Sequence, residues 1–259
     1  MPAHRRLLIA LGITLFILFA AGAVAFAVLN GRNEAMPQAR AALQSDAAVS
    51  VAPMDGQDWH VFRPTTGQPN TGLILYPGGF VDPVAYAPIA RAIAERGYLV
   101  VLDPMPLNLA VTGVESADAI IAAHPEITHW AIGGHSLGGA MAAEYVKNNP
   151  DAINGLVLWA AYPAENTDLS APALGVVSIY GDADGVAAMA DVTGAAVRLP
   201  ADARFVPIQG GNHTQFGWYG QGLQRGDNPA TISREEQQAL TVEATVALLE
   251  SLRGDGAAH

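Results

Sequence analysis

Short, wholly apolar runs alternate with longer amphipathic stretches along most of the chain. Leu73–Tyr76, Tyr98–Leu102 and Leu156–Ala160 contain no charged position. They are too short for typical helices, so they predict buried strands. Ala87–Arg96 and Ser116–Ala123 lie between such runs and have apolar residues at helical spacing. This alternation predicts an α/β fold, with a mostly parallel central sheet covered by helices on both faces.

The same pattern extends this prediction toward both ends of the region. Ser233, followed by Glu236, forms a capping box that predicts the start of a last helix. Further strands are predicted at Ala47–Ala52 and Trp59–Arg63, which form an opening hairpin, and at Ile127–Ile132, Gly175–Tyr180 and Arg204–Ile208. We therefore expect one domain over residues 47–259.

An uninterrupted apolar run lies near the N-terminus. Leu7–Leu29 carries no charge, and as a helix it would be about 35 Å long, enough to cross a hydrocarbon core of roughly 30 Å. The length favours an uncleaved transmembrane anchor at residues 1–29, with a secretory signal peptide cut near Ala25–Ala27 as the alternative. Arg5 and Arg6 would keep the N-terminus in the cytoplasm, so both interpretations place the rest of the chain outside it.

Composition narrows the possible partners. The net charge is −11 with a single lysine, which argues against nucleic acid and anionic surfaces as partners of the main domain. The chain contains no cysteine, so disulfides, thiolate metal sites and a cysteine nucleophile are excluded. Residues 30–46 are polar and rich in alanine, and we interpret them as a linker or short helix.

The chemistry centres on a strand, a sharp turn and a helix start within Trp130–Tyr145. Gly134–Gly138 fits the pattern G-x-S-x-G, in which the serine stands on a strained turn above the sheet. The residues that follow have helical spacing, with Leu137, Met141 and Tyr145 on one face. Ser136 is therefore the candidate nucleophile.

Loops after two predicted strands supply groups that could stabilise charge beside this serine. Pro77–Phe80 follows the strand Leu73–Tyr76, and its glycines allow backbone N–H groups to face a ligand. We expect the N–H groups of Gly79 and Leu137 to stabilise an oxyanion, with Phe80 as the alternative to Gly79.

A carboxylate follows the strand Gly175–Tyr180 and a histidine follows Arg204–Ile208. His213, in a loop with glycines, is the candidate general base. Asp184 is the candidate partner that orients it, with Asp182 as the alternative. His135 is interpreted as a packing residue, and no two histidines have metal-ligand spacing, so zinc is not expected.

From about Leu73 to Leu252 the sequence resembles the α/β-hydrolase superfamily, in particular its compact bacterial family-5, dienelactone-hydrolase-like group. The resemblance rests on the elbow, on segments 76–86, 180–185 and 210–217, and on the order Ser136, Asp184, His213. It implies an esterase-like serine mechanism that needs no cofactor. One departure is Pro77-Gly78, where the group usually has histidine–glycine before the oxyanion loop.

These observations predict a carboxylesterase that cleaves a small acyl ester through an acyl-enzyme. Only a short loop separates Ala160 from Gly175, so we expect no large cap domain. Residues 218–232 and 104–109 are expected to form the walls of the pocket. The alternatives are an acyltransferase or perhydrolase that uses the same triad, and a non-catalytic membrane-anchored binding protein of the same fold.

Overall fold

A computed structural model describes residues 33–53, 58–171 and 173–253 of the chain. The membrane helix predicted within residues 1–29 lies outside these ranges. Among the helices that the structure does describe, none combines the length and the apolar character needed to span a bilayer.

The predicted α/β architecture with a mostly parallel sheet is confirmed. Within the described ranges the sheet has eight strands in the order β1-β2-β4-β3-β5-β6-β7-β8. The two strands of the predicted hairpin pair antiparallel at one edge, and the strands from β3 to β8 run parallel. The strands are β1 (Val49–Pro53), β2 (His60–Pro64), β3 (Thr71–Tyr76), β4 (Leu99–Leu102), β5 (His129–His135), β6 (Gly155–Trp159), β7 (Gly175–Gly181) and β8 (Arg204–Ile208).

Helices cover both faces of this sheet. Those described are α1 (Pro37–Ala41), α2 (Ala87–Glu95), α3 (Ala117–Ala123), α4 (Leu137–Asn148), α5 (Met189–Gly194) and α6 (Arg234–Arg253). Helices α2 and α6 share one apolar core with the sheet, and α3 and α4 share the other. The final helix has its predicted cap, because the Ser233 hydroxyl accepts the N–H of Glu236 at 3.1 Å.

The strands divide their side chains between the two cores. In β3, Leu73 and Leu75 pack against α2 and α6, whereas Ile74 and Tyr76 pack on the opposite face. Successive side chains of a strand point to opposite faces, so a strand buried on both faces must be apolar throughout. Burial of each such side chain contributes roughly 1.5–3 kcal/mol to folding.

Much of the segment interpreted as a linker packs on the domain. Helix α1 begins with Pro37, and Ala39 within it is fully buried. Arg91 of α2 donates hydrogen bonds to the carbonyls of Ala42 and Gln44. Residues 33–46 are therefore a fixed part of the folded unit, which agrees better with the short-helix interpretation than with a free tether.

The topology brings the candidate loops to one edge of the sheet. The strands β3, β5, β7 and β8 are parallel and end at the same edge. Ligand sites of open α/β sheets form beyond these carboxyl ends. The loops that follow these four strands are those that carry the residues singled out from the sequence.

Candidate active site

Ser136 occupies the sharp turn between β5 and α4. Its backbone has φ 53° and ψ −121°, a strained conformation for a residue with a side chain. The turn is fixed on both sides, since the N–H of Ser136 donates to the carbonyl of Trp159 at 2.9 Å and its carbonyl accepts the N–H of Ala140. Ser136 and Leu137 are partly exposed, whereas His135 and Gly138 on either side of them are buried.

The glycines on each side of this turn are required by close backbone packing. A Cβ on Gly134 would lie 2.3 Å from the carbonyl oxygen of Tyr76, and one on Gly138 would lie 2.2 Å from the same atom. Contacts this short cannot be relieved by moving a side chain, because the partner is the backbone of β3. The G-x-S-x-G spacing therefore follows from the packing of β3 against the turn.

Asp184 and His213 form a buried pair at the ends of β7 and β8. Oδ2 of Asp184 lies 2.8 Å from Nδ1 of His213, and neither side chain is exposed. The other carboxylate oxygen accepts the N–H groups of Val186 and Ala187 at 2.8 and 2.7 Å. An ionised carboxylate can only accept, so Nδ1 of His213 is the donor to such a carboxylate and Nε2 is the ring nitrogen left for another partner.

The free nitrogen of His213 is the other notable feature of this pair. Its Nε2 is buried and has no hydrogen-bond partner within the ranges that the structure describes. The ring of His213 lies 4.4 Å from the ring of His135, which directly precedes Ser136. The structure thus brings the histidine loop against the serine turn and leaves a basic atom free there.

Asp182 has a different contact from Asp184. Its exposed carboxylate accepts the N–H of Gly210 at 2.7 Å and so connects the end of β7 to the histidine loop. Asp184, rather than Asp182, is the residue in contact with His213. The two carboxylates that the sequence offered as partners of His213 therefore lie in different places: Asp184 is buried beside His213, and Asp182 is at the surface.

A further carboxylate, Asp227, holds the histidine loop and was not singled out from the sequence. It accepts the N–H groups of Gly185, His213 and Thr214, and also the Thr214 hydroxyl at 2.6 Å. Gln237 of α6 holds the same loop, because its side-chain amide bonds both backbone groups of Asn212. These bonds join residues distant in sequence, so no local motif indicates them.

The proposed oxyanion donors lie beside each other. A Cβ placed on Gly79 would be 3.3 Å from Cδ2 of Leu137, so the Leu137 side chain lies next to Gly79. Leu137 begins α4, where N–H groups have no partner within the helix. Across the described residues, no acceptor is bonded to the N–H of Gly79 or Leu137. The N–H of Phe80, the alternative donor, is already bonded to the carbonyl of Asn108 at 2.7 Å.

The sequence was also compared with known proteins. A profile of the alpha/beta hydrolase family matches residues 72–239, more than half of the chain. The chain belongs to the alpha/beta hydrolase family. Membership agrees with the parallel sheet and indicates a hydrolase. No match was found among curated proteins.

In this alpha/beta hydrolase, His135 is more than a packing residue. Its Nδ1 lies 2.9 Å from the Tyr86 hydroxyl, which accepts the N–H of Gly78 at 3.1 Å. Complete burial, together with the nearby His213, holds the pKa of His135 well below its ordinary value. His135 is therefore neutral, and its Nδ1 shares a hydrogen bond with the Tyr86 hydroxyl. Burial also raises the pKa of Tyr86, which keeps its hydroxyl protonated.

A cleft of about 970 Å³ opens next to the proposed oxyanion donors. It is lined by Gly79 and Phe80, by residues 219–225 and by residues 33–37. Residues 33–37 were not expected here, because the sequence shows them only as part of a polar stretch. The cleft is therefore bounded by residues 33–37 as well as by the loop after β3 and the segment 219–225.

The two predicted walls have different outcomes. The segment 218–232 contributes its first half, although Trp218 does not line the cleft, since its indole N–H donates to Gln238 of α6. Residues 104–109 do not line this cleft, which also lacks Ser136 and His213, so their place in the wall of the pocket stays a prediction. Their backbone supports the oxyanion loop, because the carbonyl of Asn108 accepts the N–H of Phe80.

The described residues were also searched for a second cavity and for a metal site. A shallower depression of about 420 Å³ lies between α2 and α6 and contains none of the candidate catalytic residues. In the described part of the chain, no group of three or more histidine, aspartate and glutamate side chains could hold a metal ion.

Proposed function

We propose that this alpha/beta hydrolase is a serine carboxylesterase that cleaves a small acyl ester through an acyl-enzyme on Ser136. The observation that carries the proposal is the buried contact between Asp184 and His213, with Nε2 of His213 left without a partner among the described residues. A buried polar atom without a partner is costly, and such atoms are often found where a substrate or a reacting group completes the hydrogen bond.

The reaction would proceed in two halves. Ser136 Oγ attacks the acyl carbon while Nε2 of His213 takes its proton, and Asp184 stabilises the imidazolium that forms. The carbon–oxygen bond to the alcohol then breaks, and the alcohol leaves with the proton from His213. Water attacks the acyl-enzyme, again giving a proton to His213, and the acid is released as Ser136 regains its proton.

The developing charge on the carbonyl oxygen also needs a partner. Gly79 and Leu137 are close neighbours, and their N–H groups have no acceptor within the described chain, so they are available to an oxyanion. Removal of a single donor of this kind typically lowers kcat by about 10²–10³-fold. No metal or organic cofactor takes part in this scheme.

We further propose that the enzyme is anchored by the apolar run Leu7–Leu29, with the catalytic domain outside the cytoplasm. The run is long enough to cross a bilayer, and Arg5 and Arg6 precede it. The chain has no cysteine of its own, so the single-cysteine variants Pro2→Cys and Ser251→Cys report on the two sides of the membrane through an impermeant thiol reagent. Labelling of position 251 from the cytoplasm would contradict this orientation.

Fluorophosphonate labelling tests the catalytic proposal. Ser136 Oγ should displace fluoride and form a phosphonyl-enzyme, detected by mass spectrometry of the full-length protein. We expect labelling and ester hydrolysis in the wild type, neither in Ser136→Ala, and a fall in kcat of about 10⁴-fold in Asp184→Asn.

Asp182→Asn is the matched control, because it removes a carboxylate at the surface of the same loop. Its kcat should stay close to that of the wild type. A folded wild-type protein that neither labels nor hydrolyses any ester would support the non-catalytic binding protein instead. Transfer of the acyl group to added alcohol or peroxide in preference to water would support the acyltransferase or perhydrolase.

A further inference from the structure

Residues 33–37, called here the N-terminal strap, line the cleft together with the oxyanion loop and the segment 219–225. Ala35 forms a β-bridge with Tyr219. On either side of it, Met36 donates its N–H to the carbonyl of Trp218 at 2.9 Å, and Glu34 accepts the N–H of Gly220 at 3.1 Å. The strap is thus joined by backbone hydrogen bonds to the segment that follows the histidine loop.

The strap is also held on its other side, next to the oxyanion loop. Asp82, three residues after Gly79, donates its N–H to the carbonyl of Asn33 at 3.1 Å. Its carboxylate accepts the N–H of Ala35 at 3.3 Å and lies 3.5 Å from the guanidinium of Arg40. With fixed contacts on both sides, the strap forms a defined wall between the oxyanion loop and the segment 219–225.

The cleft behind this wall is larger than a small acyl group requires. Its volume of about 970 Å³ is near the upper end of the roughly 300–1,000 Å³ that is usual for sites of drug-sized ligands. Gly79 lines it and lies next to Leu137, whereas Ser136, Leu137 and His213 do not line it. A substrate whose carbonyl oxygen accepts the Gly79 N–H can therefore extend into it.

Both polar and apolar side chains line the cleft, and three large apolar ones lie on three different sides of it. The polar ones are Asn33, Glu34, Gln221, Gln224 and Arg225. Met36 lies on the strap, Phe80 on the oxyanion loop and Leu223 on the facing segment, and all three line the space. Leu223 is half exposed, at 50%, although it is a large aliphatic residue. The unbranched methionine side chain adapts its shape to an apolar neighbour with little strain.

We propose that the N-terminal strap is a wall of the substrate site and that the cleft binds a long apolar alcohol portion of the ester. The inference rests on the proposed function, in which the acyl group is small and the alcohol is the part left to occupy the cleft. The substrate class is accordingly an acetate-like ester of a fatty or otherwise extended apolar alcohol, with Met36 as a specificity-determining residue.

Filling the cleft tests this assignment. Met36→Trp in the full-length protein, reconstituted in lipid nanodiscs, should lower kcat/KM for decyl acetate, mainly through KM, about tenfold more than it lowers kcat/KM for ethyl acetate. Met189→Trp is the matched control, because Met189 is 49% exposed on α5 and does not line the cleft. It should leave both esters unaffected.

A second variant tests the attachment of the strap. Met36 has φ −69°, which proline adopts without strain, so Met36→Pro removes the N–H bonded to Trp218 and little else of the backbone geometry. We expect the preference for decyl over ethyl acetate to fall about tenfold. Met36→Leu, which keeps both the N–H and an apolar side chain, should retain the preference.

The possible failures are distinguishable. If Ser136 reacts with the fluorophosphonate but the decyl-to-ethyl ratio is the same in every variant, the catalytic proposal stands and the strap is not part of the substrate site. If ethyl decanoate, rather than decyl acetate, responds to Met36→Trp, the cleft binds the acyl portion and the alcohol assignment is wrong. If the wild type neither labels nor hydrolyses, the proposed function itself fails.

Discussion

The Tyr86 hydroxyl lies 2.9 Å from Nδ1 of His135 and connects this residue to the oxyanion loop by accepting the N–H of Gly78. Both ring systems are buried, so the bond is shielded from water. A Cβ on Gly78 would meet the Tyr86 oxygen and the His135 nitrogen at 2.9 Å each, so only glycine fits between them. The Tyr86 hydroxyl thus fixes both His135, which precedes Ser136, and Gly78, which precedes Gly79.

Tyr86→Phe removes a single oxygen atom, but it should reduce both the stability of the fold and the activity. The change leaves the Gly78 N–H and the His135 nitrogen buried without this partner, at a cost to the free energy of unfolding of about 1–3 kcal/mol. We expect kcat to fall about tenfold with little change in KM, because Gly79 loses its support. Thermal unfolding and ester kinetics measure the two effects. Tyr98→Phe, which alters another buried tyrosine, is the control, and an equal loss there would contradict the proposed role.

Protonation of His135 should make the fold sensitive to acid. Burial lowers the pKa of His135 below 6.5, so below that pH the unfolded chain binds a proton that the folded chain does not. Stability is then lost as the pH falls, by up to about 1.4 kcal/mol per pH unit for this group. Urea unfolding of wild type and His135→Gln from pH 7.5 to 5 should show a smaller loss in the variant. His129→Gln, at the start of β5, should behave as the wild type; parallel curves for all three would contradict the prediction.

Asp103, which directly follows β4, should have the opposite effect on the pH dependence of stability: it should lower the stability of the fold as the pH rises. Burial raises the pKa of its carboxyl to about 6, although the Ser116 hydroxyl that it contacts partly offsets this effect. The folded state holds the proton up to higher pH than the unfolded state, so stability falls as the pH rises from about 4 through 6. The shift corresponds to on the order of 3 kcal/mol.

Asp103→Asn removes this ionisation. The free energy of unfolding of the variant should rise relative to that of the wild type as the pH increases from 4 to 7, and then stay level. Denaturant titrations at fixed ionic strength measure the difference. Asp151→Asn, at an exposed position, provides the comparison. A constant difference between Asp103→Asn and wild type over this interval would mean that the buried carboxyl does not titrate there.

Asp227 should control the position of His213, the proposed catalytic histidine. Asp227→Ala removes the acceptor for three backbone N–H groups and one hydroxyl in and beside the histidine loop. We expect kcat to fall about 10–100-fold, since small displacements of catalytic groups have effects of this size. KM should change little, because Asp227 does not line the cleft. Asp168→Ala, which removes an exposed turn acceptor, is the control; a matching loss of activity there would point to general destabilisation.

The sheet was predictable because burial on both faces imposes a local pattern. The strands β3, β4 and β6 appear in the sequence as uninterrupted apolar runs, and the turn at Ser136 has its own glycine spacing. Helix α5 was not predicted. Helix α1 was predicted only as one of two alternatives, a linker or a short helix over residues 30–46. Each is only five or six residues long, so neither is long enough for an apolar periodicity to emerge.

The parts of the site that were missed depend on distant contacts. Sequence reasoning left Asp182 and Asp184 as alternatives, since both follow β7 and only the fold decides which one reaches His213. Asp227 and Tyr86 belong to no sequence motif. The partners of Asp227 lie far away in the chain, and Tyr86 meets Gly78 and His135 only once the turn at Ser136 has formed. A short spacing motif can reveal a nucleophile, but a hydrogen-bonded support of this kind requires the structure.

The attachment of the strap limits how far the cleft can lie from the apolar run. Four peptide units separate Leu29 from Asn33, and an extended chain covers at most about 3.6 Å per residue. Asn33 lines the cleft, so its rim lies within about 14 Å of the end of that run. If the run crosses a bilayer as proposed, the enzyme would meet ester-bearing amphiphiles by lateral diffusion along the lipid surface. Its encounter rate with them would then depend on the number of molecules per unit area of membrane.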